Sequence, residues 1–314
     1  MGRPVQLKDA TLEDKYTQAS GRVYLTGMQA LVRLPLLQAA LDRRAGLNTA
    51  GFITGYRGSP LGGYDAALKK AAGHLSANNV HFQPGINEDL AATTIWGTQQ
   101  VSILSEKQVD GVFGIWYGKG PGVDRSVDVL KHANAAGTSK FGGVVAIMGD
   151  DHGCQSSTLP HQSEQVMVAA MIPVLNPSDL QEHIDYGLLG FALSRYSGCW
   201  VGLKATTEII ETSATVDVSP DRLIIQEPAD LKLPEGGVSI RWPDPPLDQE
   251  RRLHGPKMDA VLAFARANAI DRRVLGDARA KLGIVASGKA YGDVVEALHD
   301  VAWWTAVNTG FFCS

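Results

Sequence analysis

Gly85-Ile86-Asn87-Glu88-Asp89-Leu90-Ala91-Ala92 is the stretch on which the fold turns. A short apolar run, Val80-His81-Phe82-Gln83, leads into it, and Pro84-Gly85 breaks that run. Beyond it, Asp89 to Glu106 carries small and apolar residues at helical spacing, at Leu90, Ala91, Thr94, Ile95, Val101, Ile103 and Leu104. The pattern predicts a strand, a tight turn and a helix, with Glu88 at the junction. A carboxyl group there stands half out of a sheet edge beside apolar neighbours, where it can hold or share a proton. The plainer alternative is a first-turn acid favoured by the helix dipole.

Outward from this unit the same alternation repeats. Gly27 to Arg44 reads as an amphipathic helix that Pro35 is expected to kink. Ala50 to Tyr56 reads as a buried strand running into a Gly/Pro-rich loop, Arg57 to Gly63, and Tyr64 to Leu75 as a short helix. Asp110 to Trp116 is a further apolar run, followed by the loop Tyr117 to Gly122 and a helix from Asp124 to Ala136. Gly143 to Met148 is a strand of Val, Ile and Ala, then come a polar loop from Gly149 to Pro160 and a helix from Gln162 to Met171. Pro173 to Leu175, Asp179 to Tyr196 and Cys199 to Ala205 complete the series as strand, helix and strand. Strands without polar alternation, separated by helices, define an α/β fold with a doubly wound parallel sheet covered on both faces. Four polar loops follow strands, at 57–63, 84–88, 117–122 and 149–160, and are expected to converge on one rim, where ligands of such sheets bind.

From Ser219 to Pro256 the periodicity gives way to prolines and charges, the mark of an extended linker or arm. Helix (Met258 to Ala269), strand (Leu282 to Ala286) and helix (Gly292 to His299) then read as the opening of a second α/β domain, too small to bury a core alone. Ala302 to Ser314 shows neither helix nor strand logic and reads as an aberrant tail, so the molecule is expected to be incomplete. The expected division is 1–218, 219–256 and 257–314.

The composition narrows the function classes. At 314 residues, 44% hydrophobic and 20% charged, the chain has the balance of a globular protein. A net charge of −4 gives no reason to expect nucleic acid or an anionic membrane as partner. The most apolar early stretch, Val23 to Leu41, holds Arg33 and Pro35, and no signal peptide precedes it, so a cytoplasmic location is expected. Cys154, Cys199 and Cys313 are too few and too scattered for a disulfide framework or a four-cysteine iron–sulfur or zinc site.

Several local patterns were weighed for chemistry. The run Phe113 to Gly120 fails as a phosphate-binding P-loop: Phe113 stands where Gly is needed and Gly120 where Ser or Thr is needed. A flexible loop letting backbone N–H groups at Gly120 approach a ligand remains. Gly149-Asp150-Asp151 with the distant Asn176 imitates the magnesium motif of thiamine-diphosphate sites, but its second Gly is missing and Pro177 replaces a polar ligand, so no metal site is expected in this chain. A Ser/His/Asp triad could be assembled on paper from the loop after Asp150, without the G-x-S-x-G elbow that would support it. His132 and His161 read as surface or satisfied-core histidines, and His152, just past a strand end, as the functional candidate. Arg57, in a Gly-rich strand-end loop, suits the carboxylate of a small acid.

Five loop motifs carry a family resemblance: TGYRGSPLGGYD (54–65), NEDLAATTIWGTQQ (87–100), WYGKGPGVDRSVDVLKHANAAGTS (116–139), GDDHGCQSSTLPHQSE (149–164) and LSRYSGCWVGLK (193–204). In this order they resemble the long fused indolepyruvate ferredoxin oxidoreductases, which are thiamine-diphosphate-dependent 2-oxoacid:ferredoxin oxidoreductases. The resemblance implies that 1–218 is a pyrimidine-binding thiamine domain and that 257 onward begins a transketolase-C-terminal-like domain. It implies that Glu88 hydrogen-bonds the ring nitrogen of the aminopyrimidine and so helps the cofactor lose its thiazolium proton. Ser59, before Pro60, matches the position where relatives set a hydroxyl against substrate. Arg57 and His152 are the further expected substrate contacts, and Gly120 and Asp151 the further expected cofactor contacts. The implied reaction is oxidative decarboxylation of an aryl-pyruvate to an acyl-CoA, with ferredoxin as electron acceptor. Mg2+, 4Fe–4S clusters and CoA would be held by diphosphate-binding and iron–sulfur domains on a continuing or separate chain, and a homo-oligomer is expected. A non-catalytic remnant of the same fold is the alternative.

Overall fold

The computed structural model describes residues 10–155, 159–275, 282–300 and 309–312. Its centre is a six-stranded sheet: β1 (Thr49–Gly55), β2 (Val80–Phe82), β3 (Gly111–Lys119), β4 (Val144–Asp150), β5 (Val174–Leu175) and β6 (Val201–Thr206). The spatial order is β2-β1-β3-β4-β6-β5, and every pairing is parallel. The doubly wound parallel sheet expected from the unalternated apolar runs is therefore present.

Side-chain alternation along the strands sorts the core into two layers. Phe113, Ile115 and Tyr117 of β3, Val145 and Ile147 of β4, and Val201 and Leu203 of β6 pack under the helices Gly27–Arg44 and Leu180–Ser197. Trp116, Val144, Ala146 and Met148 point the other way, against the helices Glu88–Gln99 and Val127–Ala136. Burying a large side chain of this kind contributes about 1.5–3 kcal/mol, so two such layers hold the sheet from both sides.

The connection from β1 passes to the edge strand β2, and the next returns across β1 to β3. The chain thus reverses direction between β1 and β3, and a crevice opens beyond their carboxyl ends. Glu88 starts the helix that makes the return crossing.

Several local expectations are corrected. One helix, Gly27–Arg44, runs through Pro35 without interruption. The helix begun at Glu88 stops at Gln99, well short of Glu106, and a 3-10 turn follows. The cause is Gln99 itself: its amide turns inward, donating to Val112 O at 2.8 Å and accepting from Ser139 N and Gly143 N. The loop expected over 117–122 does not exist as such; β3 continues to Lys119 and a short helix, Gly120–Arg125, follows at once.

An antiparallel ribbon, Arg22–Thr26 with Ser213–Asp217, flanks the main sheet. The segment after Ser219 is irregular only as far as Pro245. Helix Pro246–Arg252, a π turn over Leu253–Lys257 and helix Met258–Ala267 then follow without a break. The expected boundary between 256 and 257 falls inside this run, because Lys257 is fully buried and donates to Asn134 O at 2.9 Å and Ala135 O at 3.0 Å. Phe264 joins the same core as Leu34. Thr309–Phe312 is a strand parallel to Leu282–Val285, where the sequence showed no strand logic; Thr and Phe are strand-favouring residues, and the ladder supplies their backbone partners.

Candidate active site

Three loops, after β1, β2 and β4, meet the short helix that follows β3 at the carboxyl ends of these strands, and glycines let them touch. Gly85 N donates to Gly55 O at 2.9 Å, fastening the β2 loop to the end of β1. Tyr56 N donates to Tyr117 O at 3.0 Å, fastening the β1 loop to β3. A side chain at Gly149, the penultimate residue of β4, would meet Pro60 and Leu61 at 3.1 Å. The loop containing Ser59 therefore lies directly on the end of β4.

Glu88 is fixed from both directions. Asn87 is extended and caps the helix, its side chain accepting from Leu90 N at 2.9 Å. Trp116, wholly buried in β3, donates its indole N–H to Glu88 O at 3.1 Å. The Glu88 residue is only 7% exposed, yet among the described residues no hydrogen-bond donor at ordinary distance holds its carboxylate. It forms an ion pair with Arg125, whose Nη1 lies 3.7 Å from Oε2. Gly122 makes room for it: a Cβ there would lie 2.6 Å from Oε1. The Glu88 carboxylate therefore packs against the Gly122 backbone.

The other expected residues occupy the same rim with different exposure. Arg57 is exposed, Ser59 is half-buried and Asp151 is buried, with Thr207 Oγ1 3.4 Å from its Oδ1. His152 is exposed and faces Glu208 at 3.9 Å, on the β6 side of the rim. Gly120 is covered by the His161 side chain, so its backbone is not the open approach that a glycine loop suggested; Gly122 is the glycine that faces Glu88.

Three residues of this neighbourhood escaped the sequence reading. His161 packs on Gly120 and sets Nε2 3.1 Å from Asp124 Oδ2, while its Nδ1 faces Leu159 O at 3.1 Å. Lys119 lays its stem across Gly58, where a Cβ would meet its Cδ at 2.5 Å. Lys204 lies below the rim, 2.8 Å from Glu164 and 3.5 Å from the fully buried Asp150. Burial acts to raise the Glu164 carboxyl, but the Lys204 hydrogen bond and charge outweigh it and hold that group low. Asp150 also accepts from Ser163 N at 3.0 Å and Ser163 Oγ at 2.5 Å, which ties both ends of the 151–162 loop together. The lone-His and lone-Lys positions gave no periodic signal; only their contacts reveal them.

Among the described residues no group of three or more His, Cys, Asp or Glu side chains could hold a metal ion, and no helix is long and apolar enough to cross a membrane. Cys154 and Cys199 are free thiols.

The parallel α/β sheet is similar in fold to that of a 2-oxoacid:ferredoxin oxidoreductase. The structure of 2-oxoglutarate:ferredoxin oxidoreductase from Magnetococcus marinus, which has 2-oxoglutarate, coenzyme A and succinyl-CoA bound, matches with a TM-score of 0.62 over 93% of this chain and 53% of that one, at 16% identity. In sequence the chain is similar to indolepyruvate oxidoreductase subunit IorA of Methanothermobacter thermautotrophicus (26% identical over 294 residues, 92% of this chain and 43% of the relative). It is similar also to the IorA subunit of Pyrococcus abyssi (28% over 309 residues, 95% of this chain and 42% of the relative). The resemblance read from the loop motifs thus extends over nearly the whole chain. The chain spans about two-fifths of the length of these curated relatives. No family model matches it.

Proposed function

We propose that this chain forms the pyrimidine-holding part of a thiamine-diphosphate-dependent oxidoreductase acting on 2-oxoacids, with aryl-pyruvates such as indolepyruvate as the substrate class. The observation that carries this reading is the Glu88 carboxylate, buried at the strand-reversal crevice, without a close donor, and given room by Gly122. Thiamine diphosphate, when bound, supplies the carbanion chemistry that decarboxylates a 2-oxoacid. Glu88 holds or releases a proton at the ring nitrogen presented to it, and Trp116 keeps its backbone from shifting. Ser59 offers a hydroxyl, Arg57 a cation and His152 an imidazole to the substrate's oxo and carboxylate groups from the neighbouring loops. Residues 1–218 make up the proposed pyrimidine-binding unit, with Asp151 at its cofactor-facing rim.

Mg2+, the 4Fe–4S clusters, CoA and the ferredoxin contact are assigned to other parts of the assembly. The test is turnover of indolepyruvate and phenylpyruvate with CoA and ferredoxin by the complete assembly, with and without thiamine diphosphate. Turnover that needs the cofactor and falls by about 10²–10⁴-fold in Glu88→Gln supports the assignment. Cofactor-independent turnover, or an undiminished Glu88→Gln variant, refutes it.

A further inference from the structure

The helix Gly120–Arg125 ends in two charged residues that reach apart. Asp124 Oδ2 sits 3.1 Å from His161 Nε2, on the loop after β4. Arg125 meets both acids that open the neighbouring helix: Nη1 lies 3.7 Å from Glu88 Oε2, and Nε lies 3.6 Å from Asp89 Oδ2. The first turn of the same short helix holds Gly120, under His161, and Gly122, against the Glu88 carboxylate. One six-residue element therefore touches the proposed proton-sharing acid from two sides.

We propose that Arg125 is a positioning residue for Glu88, with Asp89 as its tether and the Asp124–His161 pair as the anchor of the turn that carries it. The inference rests on the reading of Glu88 as the acid that shares a proton with the cofactor ring. Its physical content lies in the distances. Charge-assisted hydrogen bonds between a guanidinium and a carboxylate run about 2.7–2.9 Å and are often bidentate. An Arg125 closed onto Glu88 in that way would take one lone pair of each oxygen and turn the carboxylate toward itself, away from a ring nitrogen. At 3.7 Å the cation still orients the carboxylate, and the oxygens stay available. Asp89 divides the attraction: it holds Nε at 3.6 Å and keeps the guanidinium from advancing.

The two sides differ in solvation, which suits this role. The Arg125 side chain is 52% exposed and the Glu88 side chain 9%. The cation loses little hydration by standing where it does, and the buried acid gains an aligning field it otherwise lacks. His161 presents both ring nitrogens to acceptors, Leu159 O and Asp124, and so fastens the turn to the far loop. The charged groups facing Arg125 are thus Glu88 and Asp89 on one helix, with Asp124 beside it and His161 beyond.

Two substitutions should displace Glu88 in opposite ways. Arg125→Met frees the carboxylate to rotate, and Asp89→Asn lets the guanidinium close on it. Both are measured in the complete assembly, by 2-oxoacid turnover across pH and by thiamine diphosphate affinity from tryptophan fluorescence. Arg125→Met should lower kcat by up to about 10²-fold, the cost of a misplaced reacting group, with KM for the 2-oxoacid unchanged and Arg125→Lys restoring most of the loss. Cofactor affinity should fall about tenfold, a coupling of ordinary size for residues in contact. In a Glu88→Gln background Arg125→Met should add no further loss. Wild-type kinetics in both Arg125→Met and Asp89→Asn, or a loss that persists at full size beside Glu88→Gln, overturns the inference while Glu88 keeps its role. Full activity of Glu88→Gln alone sinks both.

Discussion

The two ends of the sheet treat buried charge in opposite ways. At the amino-terminal edge Asp42 is 3% exposed and every lone pair is used: Arg195 gives it two hydrogen bonds at 2.6 and 2.8 Å, Gln38 one at 2.8 Å and Thr49 one at 2.7 Å. Lys257 at the same edge caps the end of the Val127–Ala136 helix through two carbonyls. At the carboxyl-terminal edge Glu88 is nearly as buried but stands 3.7 Å from a partly solvated partner. A saturated charge serves the fold; an unsaturated one at a crevice is available to a ligand. The contrast separates stability from chemistry within one chain.

Substitutions can break that contrast directly. Glu88→Gln should cost about 10²–10⁴-fold in turnover of the complete assembly and leave the melting temperature unchanged, since it removes no hydrogen bond that holds the fold. Asp42→Ala should do the reverse: it strands the Arg195 guanidinium and should cost about 3–5 kcal/mol in urea unfolding, with unaltered turnover per folded molecule. If Asp42→Ala instead affects turnover before stability, the division between the two edges is wrong.

Lys257 sharpens the comparison through pH. Burial pushes its ammonium down to about 8 from an ordinary 10.5, against the attraction of the nearby Cys199. Between those values the unfolded chain binds the proton and the folded chain does not, so stability rises with pH across that window. The gain should approach about 3 kcal/mol and be absent from the same profile of Lys257→Met. At the other edge, Gly122→Ala forces a methyl against Glu88 and should lower turnover by roughly 10–10²-fold, with KM little changed. The smallest effect belongs to His152→Asn: its exposed imidazole should shift the 2-oxoacid KM by a few fold, about 1 kcal/mol or less, and leave kcat alone.

Much of the fold was legible because parallel strands write themselves plainly. Gly143 to Met148 contains almost nothing but Val, Ile and Ala, and all of β4 is buried. The crevice was legible too, because Pro84-Gly85 breaks an apolar run just ahead of residues at helical spacing, with Glu88 between them. What stayed hidden acts across space. Arg125 and Glu88 lie far apart in sequence, and neither position carries a period that predicts their meeting. His152 was preferred to His161 because it follows a strand end, yet His161 is the one packed on Gly120. The helix from Met258 was expected, but the helical stretch from Pro246 to Lys257 that leads into it was hidden by its prolines, the last of which a π turn accommodates.

The margins of the main sheet have a consequence for assembly. Its outermost strands are β2 with three residues and β5 with two, and Asn176, just past β5, donates to Ser287 Oγ at 3.0 Å. Such stubs offer an incoming chain too few free amides and carbonyls to zip onto. Growth by strand addition is thereby discouraged at both flanks. Loops and helical surfaces are the broader faces that the main sheet leaves for contact.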